Sequence, residues 1–455
     1  MSEEVTLDEF ADSSDTEDSQ ERATSRFWGE IPEGWRLVNG SEVYDVNPNP
    51  KPEEEPNTYI EMDALDTELP WPKYFGTRDA SEYSGKTFTK GDTLFARITP
   101  CTENGKAALV PEMETEVGIG STEYAVLSPK RGSINPWLLY YFGKSHPVHN
   151  YAVSRMRGST GRQRVPFSVF RRELDVALPP LPEQRKIATI LYTVDRAIEK
   201  TGEIIDKFES IRSGLIEDIA TTGIGNENLV EQKVPMLPER WEIPAHWELK
   251  FLKDISTLIT DGAHQTPTYV DNGIPFLKVE DIKQDEIDWD SVARIPEEEH
   301  KTLTNRGKPT EGDVLLSKNG TIGISKVVDW NREFSHFVSL ALIRPNQEII
   351  LSEYLSTLLE SRICMRQANA RSKTGTVTNL HLEEIEQLSI PVPPIPEQRE
   401  ILKKVSAVED GLSTEKEYLN RLKRFKRGLM QDLLSGTVRT TDTNIEVPEE
   451  IAQYG

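Results

Sequence analysis

The sequence predicts an α+β protein, in which two similar mixed α/β domains are separated by two long antiparallel helices that form a coiled coil. The main observation is a phrase that occurs twice, Leu-Pro-Pro-Leu-Pro-Glu-Gln-Arg at residues 178–185 and Val-Pro-Pro-Ile-Pro-Glu-Gln-Arg at residues 392–399. A stretch of about forty residues with apolar side chains at helical spacing follows each copy. The stretches align with a constant offset of 214 residues, so that Ile187 matches Ile401. This internal duplication predicts a pseudo-twofold relation between the halves.

The proline run sets where each helix begins, because proline fixes φ and cannot donate the hydrogen bond that a helix interior needs. Apolar residues then recur at heptad positions, which predicts a coiled-coil seam. An ordinary buried helix in each domain is the alternative. The predicted seam residues are Ile187, Val194, Phe208, Leu215, Ile190, Ala197, Ile204 and Ile211 in the first helix, with Thr201 interrupting them, and Ile401, Val408, Leu422, Leu429, Val405, Leu412, Leu419 and Leu433 in the second.

A chain of 455 residues is long enough for two or three domains. Pattern and composition together predict the following organisation: a disordered acidic tail at 1–25, a first mixed domain at 26–180, a first long helix at 181–223, a linker at 224–238, a second mixed domain at 239–394, a second long helix at 395–437 and an acidic tail at 438–455.

The chain is strongly acidic, with a formal net charge of -23. Residues 1–21 hold nine acids and no Lys or Arg, and such a composition predicts disorder. Three basic islands without any acid interrupt this background, at residues 155–172, 362–373 and 421–427. We expect a cytoplasmic protein without a membrane segment, because the sequence has neither a long apolar run nor a basic leader. The surplus of acids suggests the cytosol of a salt-loving organism, a halophile.

Both halves place cations beside polar loops. A Gly-Asp turn, a short apolar strand and a cation follow one another in each half and end at Arg97 and at Lys318. Each domain then closes with a polar, glycine-containing segment, at residues 155–164 and 371–379. Arg and Gln can pair with base edges, and Ser, Thr and backbone amides suit phosphate oxygens. Because the same arrangement recurs in an acidic chain, the pattern favours nucleic-acid binding over an ordinary solvated face.

Sequence motifs for catalysis are weak. Asn135-Pro136-Trp137 resembles the start of an amino-methyltransferase tetrapeptide, but Leu138 follows where a second proline is needed. No glycine-rich dinucleotide or phosphate loop is present. Asp261-Gly262-Ala263-His264 has no second ligand at metal-binding spacing, and a turn with a contacting His is the simpler interpretation.

These motifs together resemble the specificity subunit of type I restriction-modification systems. The resemblance rests on the duplicated helix opening, on the Gly-Leu pairs at residues 214–215 and 428–429, and on three loop motifs, at residues 158–161, 261–264 and 273–277. It extends from about Trp28 to Val438.

The resemblance implies a non-enzymatic DNA reader with two target-recognition domains, each reading one half of an asymmetric, bipartite sequence in double-stranded DNA. It also implies docking of two modification subunits, which methylate adenine, and of ATP-dependent restriction subunits. S-adenosylmethionine, ATP and Mg would then be bound by these partners and not by this chain. The alternatives are a divergent stand-alone DNA methyltransferase or nuclease, and a coiled-coil scaffold that binds only protein.

The expected DNA contacts are Arg97, Arg155, Arg157, Arg162, Gln163 and Arg164 in the first domain, and His264, Lys278, Lys318, Asn319, Arg371 and Lys373 in the second. The expected contacts to modification subunits are basic residues on the exposed face of the second helix, namely Arg421, Lys423, Arg424, Lys426 and Arg427. A solvated helix face is the alternative for this second group.

Overall fold

The computed structural model describes residues 24–52, 56–79, 81, 85–225, 228–235, 237–238, 240–283, 286–371 and 379–454. Residues 1–23 of the predicted tail and Lys373 lie outside these ranges. The described chain forms two compact units. The first comprises the residues up to Gly202 together with those from Glu417 onward, and the second comprises Glu203–Lys416.

The first unit is a mixed α/β body built on two four-stranded sheets. Its elements are β1 Thr24–Ser25, β2 Gly29–Glu30, β3 Arg36–Asn39, α1 Gly40–Val43, β4 Tyr44–Val46, β5 Asn57–Ile60, β6 Gly76–Arg78, β7 Lys86–Thr89, β8 Thr93–Ala96, β9 Ala107–Leu109, β10 Val117–Gly120, β11 Tyr124–Pro129, α2 Pro136–Lys144, α3 His146–Ser154, β12 Asp175–Leu178 and the start of α4 Leu181–Thr222. The strand orders of the two sheets are β6-β5-β10-β7 and β4-β11-β8-β9, and two-stranded ladders join β12 to β3 and β1 to β2.

The second unit repeats most of this topology. Its elements are β13 Leu229–Lys233, β14 Arg240–Pro244, β15 Glu248–Phe251, β16 Ser256–Asp261, β17 Ile274–Leu277, α5 Val279–Ile282, β18 Arg294–Ile295, α6 Glu297–Leu303, β19 Val314–Ser317, β20 Ser325–Val327, β21 Ser335–His336, β22 Leu340–Pro345, α7 Ser352–Leu359, α8 Arg362–Arg371, α9 Leu382–Glu386, β23 Ser389–Val392 and the start of α10 Ile395–Ser435. The sheet β16-β22-β19-β20 corresponds to β4-β11-β8-β9, and the ladder β15-β23 corresponds to β3-β12. A parallel pair also recurs, β5 with β10 in the first unit and β17 with β21 in the second. The predicted α+β class and internal duplication are therefore confirmed.

The repeated Glu-Gln pair anchors the start of each long helix. In the first unit Trp35 Nε1 donates to Glu183 at 2.9 Å, and Gln184 Nε2 donates to the Pro179 carbonyl at 2.9 Å. Glu183 and Gln184 are buried although both are polar. Since a buried polar group is costly unless it is hydrogen-bonded, the pair holds the proline run and its neighbours in one arrangement.

The same anchor occurs in the second unit. Trp247 Nε1 donates to Glu397 at 3.1 Å, and Gln398 Nε2 donates to the Pro393 carbonyl at 2.8 Å. The repeated phrase therefore has a structural role at the junction of domain and helix in both units.

Within each unit, the start of one long helix packs against the end of the other. In the first unit Ile187 and Leu191 of α4 share a core with Met430 and Leu433 of α10. In the second unit Phe208 of α4 lies against Gly411 of α10. The helices are therefore antiparallel where they pair.

One part of the predicted seam is displaced by a single residue. Leu191, Ile198 and Ile205 are buried, whereas Ile211, in the set beginning at Ile190, is 56% exposed. The buried residues therefore follow the predicted set by one position. At the offset of 214 residues, Leu191 and Ile198 correspond to Val405 and Leu412 of the second helix, which are also buried. Of the displaced set, Ile211 is exposed, whereas Ile190, Ala197 and Ile204 are half-buried.

The acidic C-terminal segment, predicted as a tail, is packed onto the first unit. Its short helix α11, Glu449–Ala452, buries Ile451 completely. Asn135, which caps α2, donates to the carbonyls of Ile451 and Tyr454 at 3.3 Å each. Arg439 forms paired contacts with Glu183 at 2.8 and 2.9 Å. The segment therefore belongs to the core of the first unit.

Candidate nucleic-acid interface

Two isolated β-bridges, Arg157 with Arg164 and Ile98 with Arg164, build the candidate surface of the first unit. The Arg157 and Arg164 backbones exchange two hydrogen bonds of 2.9 Å, which closes a hairpin over residues 158–163. This hairpin is tied to the residues after β8, because Thr99 N donates to Gln163 O at 3.0 Å and Val165 N donates to Arg97 O at 2.8 Å. Five of the six predicted first-domain contacts therefore share one patch: Arg97, Arg157, Arg162, Gln163 and Arg164.

Two glycines allow the hairpin to turn tightly. Gly161 has a φ of 78°, a backbone conformation that residues with a side chain rarely adopt. A Cβ at Gly158 would lie 2.8 Å from the Arg162 carbonyl oxygen. The hairpin tip is therefore shaped by its glycines, and it presents Arg162 to solvent.

Glu123 organises the cations at the base of this hairpin. Its carboxylate accepts from Arg164 at 2.8 Å and from Arg97 at 3.4 Å. Burial lowers the pKa of Arg97, and the neighbouring Glu123 opposes that effect. The Arg97 side chain is only 15% exposed, and its guanidinium lies 4.0 Å from the centroid of the Phe167 ring. Arg97 is therefore a largely buried support for the patch, whereas the Arg164 side chain remains partly exposed.

The hairpin arginines differ in how far their charge is balanced. Arg155 is paired with Glu173 at 2.7 Å, and this contact raises the pKa of Arg155. Arg157 and Arg162 are exposed and make no ion pair within the residues that the structure describes. They are consequently the two hairpin cations best placed to meet an external anion.

The second unit places its strand-end cation in the same backbone setting. Lys318 N donates to Ser339 O at 2.8 Å, and Leu380 N donates to Lys318 O at 2.9 Å, as the Arg97 backbone does with Glu123 and Val165. Asn319 pairs with Asn379 as an isolated bridge. Both units therefore support the candidate site in the same way.

The side chains around this second cation are different. Lys318 forms an ion pair with Asp261 at 3.3 Å, and both side chains are buried. His264 contacts the other Asp261 oxygen at 3.1 Å and is 61% exposed. Lys318 is thus held beneath the surface, and His264 is the member of this group that an external ligand can reach.

Lys278 and Arg371, two other predicted contacts of the second unit, lie in different environments. Lys278 Nζ lies 4.6 Å from the centroid of the exposed Tyr269 ring. Arg371 is buried and donates to the Gln387 carbonyl at 3.0 Å, and burial lowers its pKa. Lys278 is half-buried beside an exposed ring, whereas Arg371 supports the fold.

Sequence reasoning missed the acids and aromatic rings that position these cations. Phe167 is approached by Arg97, by Lys86 Nζ at 5.2 Å and by Arg171 at 5.8 Å from the ring centroid. Arg171 lies in a basic island that the sequence singles out, but nothing local distinguishes Phe167 from a core residue. Such clusters arise only when distant segments meet.

The predicted partner-binding residues of α10 are divided by the fold. Arg421, Arg424 and Arg427 are exposed. Lys426, in contrast, is buried in the first unit, paired with Asp195 at 2.5 Å and donating to the Glu68 carbonyl at 2.8 Å. The expectation that Lys426 lies on an exposed face is wrong, because it occupies a seam position.

No group of three or more His, Cys, Asp or Glu residues among those that the structure describes could hold a metal ion. None of the described helices is both long and apolar enough to cross a membrane.

Two similar units, each with a supported cationic surface and a share of two long helices, define a duplicated recognition protein. The sequence profile of the family described as type I restriction modification DNA specificity domain matches residues 32–209 and 244–424. The chain belongs to this family and carries its domain twice. The predicted resemblance to a type I specificity subunit, a DNA-recognition component, is therefore confirmed.

Named relatives agree with this assignment. The type I restriction enzyme MjaVIII specificity subunit of Methanocaldococcus jannaschii is 23% identical over 337 residues, covering 72% of this chain and 76% of its own. The MjaIX specificity subunit of the same organism is 24% identical over 442 residues, covering 91% and 96%. A chain from a solved structure concerned with complex assembly and conformational transition of the type I R-M system matches with a TM-score of 0.55 and 20% identity, covering 90% of this chain and all of that one. This last likeness supports the fold.

Proposed function

We propose that the chain reads a bipartite, asymmetric DNA target for a type I restriction-modification complex, with one half-site read by each unit. The observation that carries the proposal is the recurrence of one backbone setting, around Arg97 and around Lys318, in a chain of net charge -23. The side chains displayed on that setting differ between the units. Different side chains read different bases, so the two half-sites are expected to differ in sequence.

DNA contacts in the first unit are assigned to Arg157, Arg162, Gln163 and Arg164, with Arg97 as a positioning residue. In the second unit they are assigned to His264, Lys278 and Asn319, with Lys318 and Arg371 as supports. Lys373 remains a proposed contact outside the described residues. A base contact adds discrimination at one position of the target, whereas a phosphate contact adds affinity for every sequence.

Chemistry is assigned to other subunits. Modification subunits would bind S-adenosylmethionine and methylate adenine, and restriction subunits would use ATP and Mg to cleave DNA. The absence of a phosphate-binding loop from the sequence supports this division of labour.

Two strips on the long helices, each with an exposed apolar side chain, are the proposed docking sites for modification subunits. The first, here called the Phe425 surface, consists of the exposed Tyr418 and Phe425 and the half-buried Leu422 and Leu429 on α10. The second, the Ile211 surface, consists of the exposed Ile211 and the half-buried Ile204, Phe208 and Leu215 on α4, which are the equivalent residues at an offset of 214. Phe208 also packs against Gly411 of α10, so Ile211 is the most open residue of this strip. Phe425 and Ile211 are each 56% exposed. The spacing of three and four residues suits an apolar helix partner.

Methylome sequencing of the host with and without this chain tests the reading function. We expect one bipartite adenine-methylated motif to disappear when the chain is deleted and to return on complementation. An unchanged methylome, or methyl transfer by the purified chain alone, would contradict the proposal.

We also propose that the chain works in a salt-rich cytoplasm, because its net charge is -23. Molar salt shortens the screening length to about 3 Å, so base-edge contacts and subunit cooperation should contribute more than phosphate attraction. Melting the chain across a KCl series is the test. Stability that is undiminished in dilute buffer would argue against a halophilic setting, as would equal binding of random and target duplexes in concentrated KCl.

A further inference from the structure

The two proposed docking surfaces have the same apolar pattern but opposite charge. Residues 417–432, which hold the Phe425 surface, contain five basic and two acidic residues, a net formal charge of +3. The equivalent residues 203–218, which hold the Ile211 surface, contain two basic and five acidic residues, a net charge of -3. The contrast persists after the seam residues Lys426 and Arg212 are set aside, since each of them is paired inside its own unit.

The two surfaces also differ in their exposed aromatic and arginine side chains. The Phe425 surface presents Tyr418 and Phe425, which are 46% and 56% exposed, with Arg421 and Arg424 beside them. At the equivalent positions the Ile211 surface has Ile204 and Ile211, with Lys207 and Ser210. Aromatic residues and Arg are enriched at the centres of protein interfaces, whereas Ser and acidic residues are depleted there.

We propose that the two surfaces bind two copies of the same modification subunit unequally and in a fixed order, with the Phe425 surface filled first. This inference rests on the proposed function. Its occupant is an apolar helix of the modification subunit bordered by acidic residues, because such a helix complements the arginines of the Phe425 surface. The same helix meets like charge at the Ile211 surface, where Asp206 and Asp218 are exposed; Glu209 is exposed as well, but Lys416 balances it at 3.6 Å.

Salt should separate the two binding steps. Attraction between the Phe425 surface and an acidic helix is screened as salt rises, so the first step weakens. Repulsion at the Ile211 surface is screened too, so the second step strengthens. Dilute buffer therefore favours a complex with one modification subunit, and concentrated salt brings the two affinities together.

The experiment titrates the full chain with the purified modification subunit of the same host, in dilute and in molar KCl. Calorimetry gives the two binding constants, and sedimentation velocity counts the copies bound. In dilute buffer we expect two steps that differ by about tenfold or more. Phe425→Ser should weaken the tighter step by about thirtyfold, the loss typical of an interface anchor, and Ile211→Ser should affect only the weaker step. Both residues are exposed, so neither variant should lower the melting temperature.

A charge-reversed pair isolates the electrostatic part. Arg421→Glu with Arg424→Glu should weaken the tighter step and reverse its salt dependence. Lys403→Glu with Lys404→Glu is the matched control, because these exposed lysines lie on α10 outside both surfaces. Two equal steps with the same salt dependence would overturn the inference, as would a tighter step that responds to Ile211→Ser and not to Phe425→Ser. If the modification subunit does not bind the wild-type chain at all, the proposed function itself fails.

Discussion

Asp195 of α4 and Lys426 of α10 form an ion pair of 2.5 Å whose side chains are 0% and 6% exposed. Tyr141 also donates to Asp195, at 2.7 Å. The equivalent positions in the second unit, at an offset of 214, are Glu409 and Arg212, which are paired at 2.9 Å but are much more exposed. The duplicated chain therefore has an interhelical ion pair at these equivalent positions in each unit, and the pair is fully buried only in the first.

The buried pair predicts a large stability loss when either partner is removed alone. Lys426→Met should cost about 3–5 kcal/mol, because Asp195 would remain charged and buried without its cation. Adding Asp195→Leu to that variant should recover part of the loss, since no uncompensated charge then remains. Urea unfolding of the two single variants and the double variant measures this coupling. Arg421→Met, at an exposed position of the same helix, is the control and should change stability little.

Acid should destabilise the second unit through His336. This residue is buried, its Nε2 has no hydrogen-bond partner among the described residues, and burial lowers its pKa to about 4. The unfolded chain takes up that proton near the ordinary value of about 6.5, so it binds more protons than the folded chain between these values. Stability contributed by neutral His336 is therefore present above about pH 6.5 and is lost as the pH falls through this window, by up to about 3 kcal/mol.

His336→Gln tests that prediction. The difference in unfolding free energy between wild type and variant should shift with pH between about 6.5 and 4, because the variant has no such proton to bind. Hydrogen exchange of peptides from the second unit measures it without interference from the first. A difference that does not vary with pH would contradict the prediction.

Arg162 and Arg155 should behave differently although they are close in sequence. Arg162 is exposed at the tip of the hairpin, so Arg162→Gln should weaken target binding by about 1–3 kcal/mol if it contacts a base edge, and should relax one position of the target. A contact to phosphate would instead weaken all sequences alike. Arg155 is balanced by Glu173 at 2.7 Å, so Arg155→Gln is the matched control and should leave target binding nearly unchanged. Competition binding with single-position target variants separates these outcomes.

Much of the architecture was predictable because it depends on local and repeated signals. The proline-Glu-Gln phrase fixed the start of both helices, and the offset of 214 residues predicted the duplicated topology. The placement of cations at Arg97 and Lys318 was also predictable, since each follows a short apolar strand after a Gly-Asp turn.

Whether a given cation is exposed or buried was not predictable from the sequence. Lys318, Arg371 and Lys426 are all buried, because Asp261, the Gln387 carbonyl and Asp195 meet them from distant parts of the sequence. A basic residue in a polar segment has the same local pattern whether it faces solvent or an acid. Only the tertiary structure separates residues that can contact DNA from residues that hold the surface in shape.

The packing of the C-terminal segment onto the first unit was missed for a similar reason. Acidic composition predicts a tail, yet Ile451 is completely buried against the first unit. Ile451→Ala should therefore destabilise that unit by about 2–5 kcal/mol, the usual range for truncating a buried aliphatic side chain. Glu446→Ala, at an exposed position of the same segment, should have almost no effect. Thermal unfolding of both variants decides between a structural segment and a tail, since a tail would give two equally silent substitutions.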